Sequence, residues 1–301
     1  MPSTSGESPS GPIDHMSSTL PLQAHTVPTE KIVEHWFPVS ASDSEKVWRS
    51  IRMRENSSAL IAGGSTACKT WEASLRLASW LLHPVQRDTL VHPRARVLEL
   101  GSGTGLVSAL VTMLQRQDPA LADGATHRQP VIFATDLPDV VTTKLQSLIH
   151  HNRSSLSEAS NLRLYDLDWI GCQDRIKEQS GPVQPLDHMA PTLILGADIV
   201  FDPDICPALV SVIKYALQTG ARSNAQVAPQ AVISSTVRNA STYSRFLALL
   251  DGAGLQTEEI DLDRFKSSAP AGTEEHPILP FPSTHDDSVG GVVKGVRISL
   301  R

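Results

Sequence analysis

A loop with three alternating glycines is the strongest chemical signal in the sequence. Residues 99–105 read Glu-Leu-Gly-Ser-Gly-Thr-Gly, after a short apolar run at 96–100 and before a helical pattern at 106–114. Glycines let the backbone approach a ligand closely, and the first turn of a helix offers unpaired N–H donors. The loop therefore predicts a ligand site. The alternative, a plain turn between a strand and a helix, explains the glycine spacing less well.

Two kinds of ligand compete for this loop. A dinucleotide loop follows the pattern GxGxxG. Counted from Gly101 the sixth position is Leu106, and counted from Gly103 it is Ser108, so neither register fits. An acidic residue directly before the glycines, here Glu99, is typical of methyltransferases instead.

A second polar position points the same way. Asp136 follows the apolar run at 131–134, where an acidic side chain can accept hydrogen bonds from ribose hydroxyls. Its alternative role is to cap the turn before Pro138. Together the loop and Asp136 favour S-adenosylmethionine over NAD as the cofactor.

Short apolar runs alternate with helical patterns along most of the chain. The predicted strands are 96–100, 131–134, 162–165, 192–195, 231–237, 255–262 and 292–300. The predicted helices are 71–82, 106–114, 145–152, 207–217 and 242–250. This order predicts an α/β fold with a seven-strand Rossmann-like sheet. The sheet would be mostly parallel, with an antiparallel C-terminal strand pair and helices on both faces.

The remaining segments suggest three parts of the chain. Residues 1–28 are rich in Ser, Pro, Gly and Thr and predict a disordered tail. Near-helical spacing of apolar residues predicts a short helical segment at 29–58. Residues 59–301 would form the S-adenosylmethionine-dependent methyltransferase domain. Its predicted long loops are 120–130, 171–191 and 266–291.

The composition limits the classes of function. The chain has 301 residues, 40% of them hydrophobic, which is enough for one globular core. A net charge of -6 argues against a broad nucleic-acid face, so no direct nucleic-acid partner is expected. Three scattered cysteines predict neither a disulfide framework nor a zinc cluster, and no apolar run could span a membrane. We expect a cytoplasmic monomer without a metal.

Several motifs after about residue 60 resemble those of a known family. They are Gly-Gly-Ser-Thr at 63–66, Thr-Trp-Glu-Ala at 70–73, Leu-Asp-Trp at 167–169, Ala-Asp-Ile-Val-Phe at 197–201 and Thr-Val-Arg-Asn at 236–239. With the glycine loop, they make the chain resemble the methyltransferase family 16 group of seven-strand protein methyltransferases. Within that group it resembles the eukaryotic elongation factor 2 lysine methyltransferases. The resemblance implies an S-adenosylmethionine-dependent protein-lysine N-methyltransferase that acts on elongation factor 2.

The resemblance also implies which residues hold the cofactor. The loop glycines bend around its methionine part, Asp136 holds the ribose, and Asp168 with Trp169 borders the adenine. Ala197 lets the backbone pass close to the cofactor. The full implied set is Trp71, Glu99, Gly101, Ser102, Gly103, Asp136, Asp168, Trp169 and Ala197. Without the resemblance, Trp71 and Trp169 could equally be core side chains.

Asp198 and Phe201 are the implied catalytic residues, in an Asp-x-x-aromatic element that lines the channel for the substrate lysine. Lysine has an unperturbed pKa of about 10.4, so a neutral amine costs roughly 4–5 kcal/mol at pH 7, and a nearby sulfonium lowers that pKa. We expect Asp198 to orient the amine and Phe201 to pack on its alkyl stem, with direct displacement of the methyl group. The alternatives are a cap for Asp198 and a core position for Phe201.

Other functions stay open on the sequence alone. Another protein could replace elongation factor 2, and small-molecule substrates leave few marks in a sequence. A non-catalytic binding module on the same fold is a further alternative, although it would have little need for the loop and Asp136. Enzymes that methylate amino groups of nucleic acids carry Asn/Asp-Pro-Pro-aromatic after the fourth strand, and residues 197–201 differ from that motif.

Overall fold

A computed structural model describes residues 30–38, 47–56, 69–116, 129–156, 161–179, 181–224, 226–262, 281 and 292–301. In this part of the chain, seven strands form one sheet and two form a separate hairpin. The hairpin strands are β1 (Lys31–Pro38) and β2 (Trp48–Glu55). The sheet strands are β3 (Arg96–Leu100), β4 (Val131–Asp136), β5 (Leu162–Asp166), β6 (Leu193–Ala197), β7 (Gln230–Val237), β8 (Leu255–Ile260) and β9 (Val292–Leu300).

Helices cover both faces of the sheet. Alternate residues of its strands point to opposite faces, and each face packs against its own apolar cluster. Val97 of β3 packs with the cluster that contains α1, α3 and the hairpin, whereas Leu98 packs with α8 and α9. A π-helical turn, Val141–Leu145, leads into α4. The helices are α1 (Glu72–Leu81), α2 (Pro84–Val91), α3 (Leu106–Arg116), α4 (Gln146–His151), α5 (Arg153–Leu156), α6 (Trp169–Glu178), α7 (Leu186–Met189), α8 (Cys206–Ser223) and α9 (Ala240–Gly252).

The strand order confirms the predicted fold class. It is β5-β4-β3-β6-β7-β9-β8, with β3 to β7 parallel and β9 antiparallel to both β7 and β8. From β3 the chain continues to β4 on one side and later returns to β6 on the other side. The carboxyl ends of these three strands therefore border the position where open α/β sheets bind ligands.

The helical prediction for 29–58 is wrong where the structure describes this segment. β1 and β2 pair antiparallel, and burial along β1 alternates: His35 and Phe37 are buried, whereas Glu34 and Trp36 are exposed. Such a period of two belongs to a strand with one covered face. The apolar residues also recur at spacings that fit a helix, and short runs do not separate the two patterns.

The long loop predicted at 171–191 is also wrong, because α6 and α7 occupy much of it. Asp168 caps the first turn of α6, where its Oδ1 accepts a hydrogen bond from the N–H of Ile170 (3.0 Å). A short polar side chain at this position stabilises a helix start. The helix α2 is a further element that the sequence patterns did not predict.

Other sequence predictions fall wholly or mainly outside the described residues. These are the tail at 1–28, the loops at 120–130 and 266–291, and the motif at 63–66. Phe281 is described and buried, with its ring stacked on Phe37 at a centroid distance of 6.0 Å. Among the described helices, none is both long and apolar enough to cross a membrane.

Candidate functional site

A cavity of about 280 Å³ opens at the carboxyl ends of β3, β4 and β6. It brings together all the predicted site residues except Glu99. The predicted residues that line it are Trp71, Gly101, Ser102, Gly103, Asp136, Asp168, Trp169, Ala197, Asp198 and Phe201. No group of three or more side chains suited to a metal ion occurs in the described part of the chain.

The glycine loop has a backbone shape that requires its glycines. Gly101, Gly103 and Gly105 have φ values of 63°, 54° and 86°, in the left-handed region that L-residues rarely adopt. A Cβ atom on Gly101 would lie 2.7 Å from Cγ2 of Ile199 and 3.6 Å from the Trp169 ring. The loop therefore keeps its backbone bare toward the cavity.

Asp136 is held by the loop that it faces. Its Oδ2 accepts from the N–H of Gly103 (2.8 Å), and its Oδ1 accepts from the N–H of Leu137 (2.8 Å). Burial raises the pKa of Asp136 above its ordinary value, and these two N–H groups oppose the rise. A carboxylate has about four acceptor positions, so Asp136 can still accept from ribose hydroxyls.

Glu99 lies beneath the loop and does not line the cavity. It is 2% exposed, and the hydroxyl of Ser108 in α3 donates to its carboxyl group. Burial raises the pKa of Glu99 to about 7, although its hydrogen bonds with Ser108 and Ser102 oppose the rise. In this position Glu99 can support the loop and the start of α3, whereas the prediction for Glu99 was a direct contact with the cofactor.

Trp169 and Asp168 form a third side of the cavity. Trp169 is the first residue of α6, and its half-buried indole lies beside Gly101. The cap by Asp168 fixes the orientation of this first turn. A flat apolar ring in this place can cover a purine base, which fits the predicted adenine side.

Asp198 is held in place from β7 and the residues after it. Its Oδ1 accepts from the N–H of Thr236 (2.7 Å), and its Oδ2 accepts from the Thr236 hydroxyl (2.9 Å) and from Arg238 (3.3 Å). Its φ is 56°, and its side chain is 6% exposed. These contacts fix the carboxylate at the cavity and leave about one of its four acceptor positions for a ligand.

Apolar side chains surround the opening of the cavity. Phe201 is 51% exposed, and Leu137 and Ile170, which also line the cavity, are each 53% exposed. Phe201 is therefore a surface side chain, not a core residue. Large exposed apolar side chains that gather around one opening indicate a contact surface.

Two cations lie near the Trp71 ring. The ammonium of Lys69 lies 4.5 Å from the ring centroid, and the guanidinium carbon of Arg238 lies 4.8 Å from it. Because Arg238 also pairs with Asp198, Trp71 helps to position that pair. Asn239, the last residue of the motif at 236–239, caps α9.

A set of buried polar side chains joins the hairpin to the glycine loop. Glu55 of β2 accepts hydrogen bonds from the N–H (3.1 Å) and the hydroxyl of Thr70. The Thr70 hydroxyl lies 2.9 Å from that of Thr104, and His35 lies 3.9 Å from Glu55. We call these four residues the hairpin network. Burial would raise the pKa of Glu55, but its interactions with His35 and Thr70 hold it below its usual value.

Comparisons with known proteins agree with this geometry. A family described as "Lysine methyltransferase" matches residues 55–251. The protein-lysine N-methyltransferase EFM3 of Chaetomium thermophilum is 27% identical over 77% of this chain and 60% of its own. The human protein-lysine N-methyltransferase EEF2KMT is 27% identical over 67% of this chain and 55% of its own. The chain thus spans only part of the length of these curated relatives.

Solved structures that are similar to this chain include methyltransferases. One is a SAM-dependent O-methyltransferase from Thermotoga maritima, with a TM-score of 0.41 and 11% identity. The match covers 77% of this chain and 66% of that structure. The strand order described above, rather than this likeness, carries the fold assignment.

Proposed function

The chain belongs to the lysine methyltransferase family, and we propose that it is a protein-lysine N-methyltransferase that acts on elongation factor 2. One observation carries the proposal: the glycine loop, Asp136 and Asp198 meet in one cavity, at the ends of three neighbouring parallel strands. The methyl donor of this family and fold is S-adenosylmethionine. We further propose that the protein acts as a cytoplasmic monomer.

The residues of the cavity fit each part of this cofactor. Asp136 has acceptor positions for the ribose hydroxyls, and Trp169 offers a flat apolar surface for the adenine. The bare backbone of Gly101 and Gly103 leaves room for the methionine part. When bound, the cofactor supplies a methyl group on a positively charged sulfur. Glu99 supports the loop from below through Ser108.

Asp198 and Phe201 fit the needs of the substrate lysine. The amine must lose its proton and point its lone pair at the methyl group before transfer. The remaining acceptor position of Asp198 can hold one N–H of the amine, and Thr236 prevents the carboxylate from rotating. The exposed ring of Phe201 at the opening can pack against the alkyl stem. These side chains orient the amine and exclude water, and they form no covalent bond with it.

Two observations support a protein substrate. The curated relatives EFM3 and EEF2KMT are named protein-lysine N-methyltransferases. The apolar residues around the opening, Leu137, Ile170 and Phe201, suit contact with a protein surface from which one lysine enters. The choice of elongation factor 2 rests on the resemblance of the sequence motifs.

The test is methyl transfer from labelled S-adenosylmethionine to purified elongation factor 2, with the modified residue identified by mass spectrometry. We expect one methylated lysine, and a loss of at least about 100-fold in rate for Asp198→Ala with cofactor binding retained. Asp251→Ala is the matched control, because Asp251 is exposed at the end of α9 and does not line the cavity. It should keep the full rate.

Each alternative function predicts a different result. Transfer in a cell lysate but not to elongation factor 2, abolished by protease treatment of the lysate, would indicate another protein substrate. Transfer that survives this treatment would indicate a small molecule. If calorimetry detects no binding of S-adenosylmethionine, the chain is a non-catalytic module on this fold.

A further inference from the structure

Lys69 lines the cavity but has no role in the site described so far. Its ammonium lies 4.5 Å from the centroid of the Trp71 ring. No carboxylate of the described residues forms an ion pair with it. A ring face attracts a cation but does not neutralise its charge, so among the described residues nothing balances the positive charge that Lys69 brings into the cavity.

The other charged groups of the cavity already have hydrogen-bond or ion-pair partners. Asp136 accepts from two backbone N–H groups, Asp168 caps α6, and Asp198 pairs with Arg238. Arg238 shares the Trp71 ring with Lys69, at 4.8 Å from the centroid. Two cations near one ring repel each other, and an anion bound close to them would relieve this repulsion.

The position of Lys69 along the sheet selects one end of the ligand. Asp136 ends β4, on one side of the glycine loop. Lys69 precedes α1, which packs over β6 and β7 on the other side of that loop. Thr70 fixes this approach, because its hydroxyl lies 2.9 Å from that of Thr104 in the loop. A cofactor whose ribose lies at Asp136 would therefore extend its amino-acid end toward Lys69.

We propose that Lys69 binds the α-carboxylate of the cofactor and so selects a cofactor with an intact amino-acid end. The inference rests on the proposed function for its ligand, and it adds a residue that fixes the position of the methionine part. A charge-assisted hydrogen bond in a partly buried site is stronger than a neutral one. The length and direction of this hydrogen bond would keep the sulfonium of the same ligand in a constant position relative to Asp198.

Decarboxylated S-adenosylmethionine provides the test, because it keeps the sulfonium, ribose and adenine but has no carboxylate. Binding of both ligands is measured by calorimetry for the wild-type chain and for Lys69→Met, Lys69→Arg and Lys294→Met. Lys294 is the matched control, since its ammonium also lies near an aromatic ring (5.9 Å from Tyr243) but it does not line the cavity. Thermal unfolding of each variant establishes that it is folded.

The wild-type chain should bind S-adenosylmethionine about 10- to 100-fold more tightly than its decarboxylated form. Lys69→Met should remove most of this preference, Lys69→Arg should retain most of it, and Lys294→Met should leave it unchanged. If Lys69→Met loses affinity for both ligands equally, or for neither, the role of Lys69 is overturned and the cofactor assignment still stands. Absence of binding to the wild-type chain would overturn both.

Discussion

The carboxylates that line the cavity and the carboxylate behind the glycine loop differ in what they face. Asp136, Asp168 and Asp198, the strand-end carboxylates, lie at or just after the ends of β4, β5 and β6 and line the cavity. Glu55, in the hairpin network, lies behind the loop, and its contacts are with Thr70 and His35. The strand-end carboxylates face the cavity, whereas the hairpin network reaches it only through Thr104.

This difference separates binding from support. A strand-end carboxylate with free acceptor positions can bind a ligand directly, so its loss should weaken ligand affinity more than stability. A buried network that lines the cavity only through Thr104 should show the opposite, because its loss leaves polar groups unsatisfied inside the protein. The following variants test this division, from the largest expected effect to the smallest.

Asp136→Ala should have the largest effect on the cofactor. It removes the acceptors for the ribose hydroxyls, and two hydrogen bonds to a charged group are worth about 3–6 kcal/mol, so affinity should fall at least about 100-fold. Calorimetry with S-adenosylhomocysteine measures this loss. The matched control is Asp139→Ala, which removes an exposed carboxylate three residues later. An Asp136→Ala affinity within a few-fold of wild type would contradict the ribose assignment.

Glu99→Gln should change how stability depends on pH. Burial raises the pKa of Glu99 from its usual 4.5 to about 7, so the folded chain binds more protons than the unfolded chain between these values. The stability from protonated Glu99 is complete below about pH 4.5 and falls as pH rises through about 7, by about 3 kcal/mol in total.

Urea unfolding of wild type and Glu99→Gln at several pH values measures this dependence. Because Gln cannot ionise, the variant should gain stability relative to wild type as pH rises from 5 to about 8. Glu55→Gln, in the hairpin network, is the contrast. The pKa of Glu55 is lowered, so its contribution is present at neutral pH and is lost as pH falls. A stability difference for Glu99→Gln that is constant with pH would show that this carboxyl group does not titrate in that range.

The strand-end carboxylates could be predicted because topology brings them together. Once β3, β4 and β6 are recognised as neighbouring parallel strands, the residues after them must share one edge of the sheet. No further information was needed to predict that Gly101 and Asp136 lie at this edge. The contacts of Asp198 could not be predicted in this way, because Thr236 and Arg238 come from β7 and the residue after it. Only the fold shows that both of them contact the Asp198 carboxylate.

The hairpin network could not be predicted in the same way. Thr70 and Glu55 are joined only if residues 29–58 form strands, and their apolar spacing also fits a helix. A useful signal was present in β2, where Ile51 and Met53 alternate with the exposed Arg52. Even with the hairpin recognised, the sequence contains nothing that places Thr70 beside Thr104, because that contact depends on how the hairpin packs against the domain.

Thr70→Val should affect stability more than cofactor affinity. The valine keeps the shape of the side chain but removes the hydroxyl that joins Glu55 to Thr104. Unfolding free energy should fall by about 2 kcal/mol, since the buried hydroxyl of Thr104 loses its partner and Glu55 loses one of its hydrogen bonds. Thr89→Val is the matched control, as its exposed hydroxyl bonds only within α2. If the affinity for S-adenosylhomocysteine falls as far as in Asp136→Ala, the division between binding and support is wrong.

Asn152→Ala should have the smallest effect, and it tests how firmly the hairpin must be attached. The Asn152 amide accepts from the N–H of Arg52 (2.9 Å) and donates to its carbonyl (2.7 Å), as a neighbouring strand would. Water can replace these bonds at the half-buried edge of β2, so the loss should be about 1 kcal/mol. Amide hydrogen exchange should speed up in β2 while Gly103 stays protected. Faster exchange at Gly103 as well would mean that the hairpin supports the loop through its whole attachment, not through Thr70 alone.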